Sequence, residues 1–193
     1  GLNQINVVSA DTIPLVNDLG FVRLVGNGKV ISGDCDSVKG KMSFSNNEAT
    51  YDGDWKNNMP HGKGQFKDKN NNVYKGEFKY GYFWGKGQML VTGLYNYTGN
   101  FVMSRRQGKG LCSFVKPKGE TYDGEWYNDM MSGLGKYSKG PQFYYYGNLL
   151  NNMFNGNGKI ISSDGWLEGN FKDGTPNGFI KQYLKKENMY VEG

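Results

Sequence analysis

The chain has 193 residues, of which 15% are aromatic, and it carries a formal net charge of +5. This aromatic content excludes a disordered linker, and the modest positive charge favours anionic partners. Because the sequence shows neither an apolar run of roughly 18–20 residues nor a signal-peptide pattern, we expect a cytoplasmic protein. Cys35 and Cys112 lie far apart, which argues against a disulfide framework and is typical of a reducing compartment.

Residues 1–50 are predicted to form degenerate N-terminal repeats or a cap. The segment Leu15-Val-Asn-Asp-Leu19, followed by Gly26-Asn-Gly28, keeps the spacing of the clear repeats further along the chain. Residues 39–44 are similar to the second half of a repeat whose first half is shortened. Terminal repeats are often atypical because they cap the stack.

Five clear repeats occupy residues 51–158. Each begins with Tyr-x-Gly-x-aromatic, with Leu once in place of the aromatic residue, and the first Gly of a Gly-x-Gly follows eleven residues after the Tyr. An offset that recurs five times identifies a supersecondary unit of about 23 residues, which must stack on its neighbours to bury its apolar face. The repeats start at Tyr51, Tyr74, Tyr97, Tyr122 and Tyr145.

Each repeat has the pattern of a β-hairpin with one aromatic face. Period-two alternation places the Tyr, the Gly and the following aromatic residue on the same side of a strand. Glycine marks a close approach within a sheet, so we expect a neighbouring ring to lie over it. The sequence therefore predicts an all-β fold with little helix, an elongated single-layer antiparallel sheet of stacked hairpins. The predicted aromatic face comprises Tyr51, Trp55, Tyr74, Phe78, Tyr97, Phe101, Tyr122, Trp126 and Tyr145.

Residues 159–193 are predicted to form a degenerate C-terminal repeat and the start of a further one. Leu167-Glu-Gly169-Asn-Phe171, followed by Gly178, keeps the offset of eleven residues. The sequence Tyr190-Val-Glu-Gly193 is similar to the opening of another unit.

These residues resemble the MORN family (membrane occupation and recognition nexus repeats), whose unit reads Tyr-x-Gly-x-Trp and then Gly-x-Gly. The repeats at Tyr51 and Tyr122 match it with Trp55 and Trp126, and His61 stands where the family often has a His. The resemblance implies an elongated antiparallel sheet without intrinsic catalysis. It also implies scaffolding, dimerisation, attachment to membranes or the cytoskeleton, and binding of anionic phospholipid.

We predict no catalytic residue, no cofactor and no metal site. His61 is the only histidine, and the repeat itself accounts for it as a structural residue. The Gly-Lys-Gly triplets do not complete a phosphate-binding loop, and no Cys/His or Asp spacing suits zinc or calcium.

The polar face carries Lys63, Lys86 and Lys109 at equivalent positions, with acidic residues on the adjacent strands. One interpretation is an anion-binding strip for lipid headgroups. The interleaved acids weaken that strip, so we favour a cross-strand charge ladder.

The hairpin turns carry unexpected apolar and basic residues. Exposed apolar surface usually marks an interaction site, and methionine suits adaptable contacts. The turn residues could equally fold back on their own hairpins, since a single-layer sheet must cover its rims. The candidate partner-binding residues are Met59, Tyr82, Phe83, Arg105, Arg106, Met130, Met131, Met153 and Phe154.

The sequence thus favours a non-catalytic scaffold, cytoplasmic or peripheral at a membrane or the cytoskeleton. Its expected partners are a peptide or helix of another protein, a second copy paired through unpaired end strands, and anionic phospholipid. Nucleic acid is not expected, because the basic residues are dispersed among acids. The alternative is a regulatory or membrane-targeting module of a larger enzyme, of the lipid kinase or methyltransferase type. A carbohydrate- or choline-binding wall repeat fits less well.

Overall fold

The computed structural model describes residues 22–26, 28–44 and 49–193. None of them forms a helix, so none of them lies in a helix able to cross a membrane. The predicted repeat at Leu15–Leu19 lies outside the described residues. The strands are β1 (Lys29–Gly33), β2 (Lys39–Phe44), β3 (Ala49–Lys56), β4 (Met59–Lys67), β5 (Val73–Lys79), β6 (Tyr82–Val91), β7 (Tyr95–Val102), β8 (Arg105–Phe114), β9 (Thr121–Tyr127), β10 (Met130–Ser138), β11 (Phe143–Leu150), β12 (Met153–Ser162), β13 (Gly165–Lys172), β14 (Thr175–Leu184) and β15 (Met189–Glu192).

The strands follow one another in the sheet in the same order as in the chain, from β1 to β15. Consecutive strands run antiparallel, as in β3 and β4, where Tyr51 lies opposite Phe66. This order confirms the predicted all-β fold of antiparallel hairpins. The described residues form two compact units, an N-terminal unit that ends at Gly110 and a C-terminal unit that begins at Leu111. The repeat boundaries at residues 51 and 158 stay predictions.

The core of each unit is a set of tyrosine rings that lie over glycines. A Cβ at Gly64 would stand 2.3 Å from the Tyr51 hydroxyl oxygen and 2.5 Å from its ring. The same hydroxyl donates a hydrogen bond to the carbonyl oxygen of Asp54 at 2.7 Å. Equivalent hydroxyl bonds hold Tyr74, Tyr97, Tyr122 and Tyr145. All nine residues of the aromatic face are buried, with at most 3% of the side chain exposed.

Two-residue turns join the strands of the hairpins. Asn57 and Asn58 both have positive φ, 51° and 59°, and the same holds for Asn151 and Asn152, at 50° and 68°. Two successive residues in this region define a type I′ turn, whose twist matches that of the flanking strands. The residue after each turn therefore already belongs to the return strand and follows its alternation.

The turns also bond successive hairpins to each other. The Asn152 amide donates to the carbonyl of Met131 at 3.0 Å, and its side-chain oxygen accepts the Met131 amide at 2.8 Å. Ser104 forms the same two bonds with Phe83, at 2.9 and 3.1 Å. The small polar residue in the turn thus satisfies a buried backbone amide of the preceding repeat.

Candidate interaction surfaces

The predicted turn rim divides into buried and partly exposed residues. The first residue of each pair is partly exposed and the second is buried, because the two lie on opposite faces of the return strand. The partly exposed residues are Met59, Tyr82, Arg105, Met130 and Met153. The buried ones are Phe83, Arg106, Met131 and Phe154, each with at most 1% of the side chain exposed.

The buried residues of the rim belong to the aromatic core. Phe83 stacks on Tyr74 with ring centroids 3.9 Å apart, and Phe154 stacks on Tyr145 at 3.7 Å. The Arg106 guanidinium lies 4.8 Å from the ring centroid of Tyr95. These side chains therefore cannot offer an exposed surface within the chain as folded. A partner-binding role for the partly exposed residues stays a prediction.

In the N-terminal unit, residues 22–26 cover part of the same rim. The Leu24 amide donates to the Gly81 carbonyl at 2.9 Å, and the Gly26 amide donates to the Asn58 carbonyl at 2.8 Å. The Arg23 guanidinium lies 5.0 Å from the ring centroid of Tyr82. Met59 also contacts Arg23, at 3.9 Å from sulfur to nitrogen. The rim of this unit is thus partly occupied by the chain itself.

The polar face of the N-terminal unit holds a groove of about 1150 Å³. Its floor includes glycines that lie opposite one another on successive strands, here called the glycine row. Lysine, glutamine, threonine, asparagine and acidic side chains flank this floor, and no aromatic side chain lines it. The glycines of the floor are Gly53, Gly64, Gly76, Gly87 and Gly99, and Gly40 continues the glycine row on β2, between the groove lysines Lys39 and Lys41.

The charges that face the groove are six lysines and three acids. Two of the acids bind backbone amides where the strand register shifts. The Asp54 carboxylate accepts the Lys63 amide at 2.9 Å, and the Glu77 carboxylate accepts the Lys86 amide at 2.8 Å. The lysines are Lys39, Lys41, Lys63, Lys67, Lys75 and Lys86, and the acids are Asp52, Asp54 and Glu77.

The expected charge ladder does not form at the three lysines for which it was predicted. Lys63 lies directly opposite Glu77, but Glu77 is turned toward a backbone amide, as described above. Within the part of the chain that the structure describes, Lys63, Lys86 and Lys109 make no ion pair. The groove does contain one ion pair, Lys39 with Asp54 at 3.7 Å.

The C-terminal unit has a different polar face. An alternating charge row crosses it, with Lys159 paired to Glu168 at 3.6 Å and Lys181 to Glu192 at 3.8 Å. Beside this row lies a second one in which the directly opposed residues are mostly aromatic: Tyr144, Ile161, Trp166, Tyr183 and Tyr190. Cross-strand ion pairs therefore occur in this unit at lysines other than the three for which a charge ladder was predicted.

The sequence did not single out four of the groove lysines, Lys39, Lys41, Lys67 and Lys75. Lys39 and Lys41 precede the first clear repeat, so they have no place in the comparison of the five repeats. Lys75 follows a repeat Tyr directly, but this position has no common residue type and is Asp, Lys, Thr, Asp and Tyr in turn. The strand register, and not a recurring residue, therefore brings these lysines to one groove.

The buried titratable groups of the two units are better suited to structural roles than to catalysis. Burial raises the pKa of Tyr51, Tyr74, Tyr122 and Tyr145 above the ordinary value. Burial, together with nearby acidic residues, also raises the pKa of the Cys35 thiol, which makes it a poor nucleophile. Cys35 and Cys112 are both buried, and neither forms a disulfide bond.

His61 also has a structural environment. Its Nδ1 atom accepts a hydrogen bond from the Tyr80 amide at 3.4 Å. The His61 and Tyr80 rings meet edge to face, with centroids 5.5 Å apart. The histidine therefore connects one repeat to the turn of the next.

Comparison with known proteins identifies the repeats directly. The family model described as MORN repeat matches residues 51–73, 74–90, 97–116, 122–140 and 145–167, which together make up more than half of the chain. A search of curated proteins finds no match. The matched segments contain the tyrosines, glycines and two-residue turns whose packing is described above. The chain belongs to the MORN repeat family.

Proposed function

We propose that the chain is a non-catalytic interaction scaffold, which binds a protein partner or a second copy of itself and links a membrane to the cytoskeleton. Repeat arrays of this kind present extended surfaces on which other macromolecules assemble. The family supports a role in membrane or protein interaction. The identity of the partner follows from the surfaces that the repeats leave exposed.

One observation carries the proposal: the side chains that the repeats share are used in internal packing. The repeat tyrosines and their glycines fill the core, and the turn residues bond successive hairpins. What remains outside differs between repeats, from Lys63 in one to Leu134 in another at the same position. Side chains that neither recur nor contribute to the core are free to be selected for recognition.

The experiment compares two pairs of apolar residues, one at the turn rim and one away from it. Met130→Ser with Met153→Ser removes apolar side chains from the partly exposed turn rim. Leu111→Ser with Met189→Ser removes two exposed apolar side chains that lie away from the rim, 46% and 42% exposed. Sedimentation velocity measures self-association, quantitative capture from extract of the native cell measures partner binding, and circular dichroism checks the fold.

We expect the rim pair to lose self-association or capture, because interface contacts concentrate in a few apolar anchors. The control pair should behave like the wild type. A monomer at every concentration, with equal capture by all three proteins, would contradict the proposal. Sedimentation with vesicles that contain or lack anionic lipid tests the membrane part separately.

A further inference from the structure

We propose that the groove of the N-terminal unit binds an extended acidic peptide segment of a partner protein, laid along the glycine row. The inference rests on the proposed function and names the chemistry of the partner. It concerns a surface distinct from the turn rim, because none of the turn-rim residues lines the groove.

The charge of the groove favours an anionic occupant. Lysines outnumber acids by six to three, and the carboxylates of Asp54 and Glu77 accept backbone amides. Of the groove lysines, Lys63, Lys75 and Lys86 form no ion pair with any described residue. An acidic segment would supply the carboxylates that these ammonium groups lack, which gives charge complementarity and faster association.

The two units differ in whether the lysines of the polar face have partners, and this difference places the proposed site in the N-terminal unit. In the C-terminal unit the polar-face lysines Lys159 and Lys181 already pair with Glu168 and Glu192. Lys136 lies directly opposite Asp123 and has its ammonium 4.3 Å from the Tyr144 ring centroid. These three lysines of the C-terminal unit thus have neighbours that engage them, whereas Lys63, Lys75 and Lys86 of the groove have no ion-pair partner among the described residues.

The shape and lining of the groove favour a polypeptide over other anions. The glycine row crosses six strands, which at ~4.8 Å per spacing gives ~24 Å, the length of about seven extended residues. Gln65, Gln88 and Asn100 offer amide donors and acceptors along it. Without an aromatic lining there is no platform on which bases could stack. A flat bilayer would contact the flanking lysines but not the recessed floor.

The test uses a fluorescein-labelled oligoglutamate of about eight residues, long enough to span the row. Anisotropy titration should show binding by the wild type that weakens with added salt, and no binding of oligolysine or oligoglutamine of equal length. The variant Lys63→Gln, Lys75→Gln, Lys86→Gln should bind about tenfold more weakly or worse. The matched variant Lys136→Gln, Lys159→Gln, Lys181→Gln, with the same change in net charge, should bind like the wild type.

Absence of oligoglutamate binding, or an equal loss in both triple variants, would overturn the inference, the latter by showing that only bulk charge matters. Sedimentation of the wild type with phosphatidylserine vesicles in the absence of peptide binding would assign the groove to a membrane and overturn it too. A negative result for the groove proposal can be distinguished from a negative result for the proposed scaffold function. The rim variant Met130→Ser, Met153→Ser leaves the groove lysines intact, and capture from cell extract does not use oligoglutamate.

Discussion

At the scale of single residues, the ring of each repeat tyrosine fills the space that a side chain on its paired glycines would need. A Cβ at Gly64 would stand 2.3–2.5 Å from the hydroxyl and ring of Tyr51. Because this ring is fully buried, it has no free space into which to move. We expect Gly64→Ala to lower the free energy of unfolding by about 1–3 kcal/mol through overpacking, as measured by denaturant titration.

The control is Gly64→Ala in a protein that lacks the Tyr51 ring. In a Tyr51→Ala background the space over Gly64 is empty, so Gly64→Ala should cost little there, although Tyr51→Ala is itself destabilising. A double-mutant cycle isolates the coupling between the two positions. Equal costs of Gly64→Ala in both backgrounds would show that the ring is not the reason for the glycine.

The sequence alone predicted this slot, because the tyrosine and the glycines recur at a fixed offset. It did not predict where the carboxylates point. Glu77 lies opposite Lys63 in the register, yet it accepts the Lys86 amide. That bond depends on the register shift between Gly76 and Phe78. A β-bulge leaves a backbone amide unpaired, and no residue pattern in the sequence predicts where this happens.

At the scale of the hairpin, the turn residue fixes each unit to the preceding one. The side chain of Asn152 accepts the buried Met131 amide at 2.8 Å. Asn152→Gly keeps the positive φ of this position but removes the acceptor. We expect a loss of about 1–3 kcal/mol in the free energy of unfolding, the cost of an unsatisfied buried donor, measured by thermal or denaturant unfolding.

The neighbouring residue provides a matched control. Asn151 also has positive φ, 50°, but it is exposed. Asn151→Gly should therefore change stability little, and Asn152→Asp, which retains an acceptor oxygen, should preserve most of it. If Asn151→Gly and Asn152→Gly cost the same, the backbone and not the side-chain bond would determine the effect.

The hairpins themselves were predictable from period-two alternation, whereas the turn rim was only half predictable. The sequence pattern predicts turns that extend over residues such as Met153-Phe154, but the two-residue turn ends at Asn152. Alternation therefore continues through Met153 and Phe154, and one of every such pair points into the core. The exact turn type depends on backbone twist, which short polar stretches indicate only weakly.

At the scale of the whole molecule, the packing of many buried tyrosines couples stability to alkaline pH. Burial raises the pKa of Tyr51, Tyr74, Tyr122 and Tyr145 in the folded chain, whereas an unfolded tyrosine titrates near pH ~10. A raised pKa in the fold means that the neutral form is favoured there. This contribution is complete below the unfolded pKa and is lost as the pH rises above it toward the folded values.

We therefore expect stability to fall progressively above pH ~10 and the buried tyrosines to ionise together with unfolding. Tyrosinate absorbance and far-ultraviolet circular dichroism, recorded over the same pH series, should show a coincident transition. Tyr145→Phe removes one buried hydroxyl that would otherwise ionise. Once the stability that this substitution costs at neutral pH is allowed for, the alkaline transition of the variant should lie at higher pH than that of the wild type. If all tyrosines ionised before any β-structure was lost, the hydroxyls of the repeat tyrosines would have to reach solvent in the folded chain. The repeat tyrosines would then not form the closed core on which the stacking of the repeats depends.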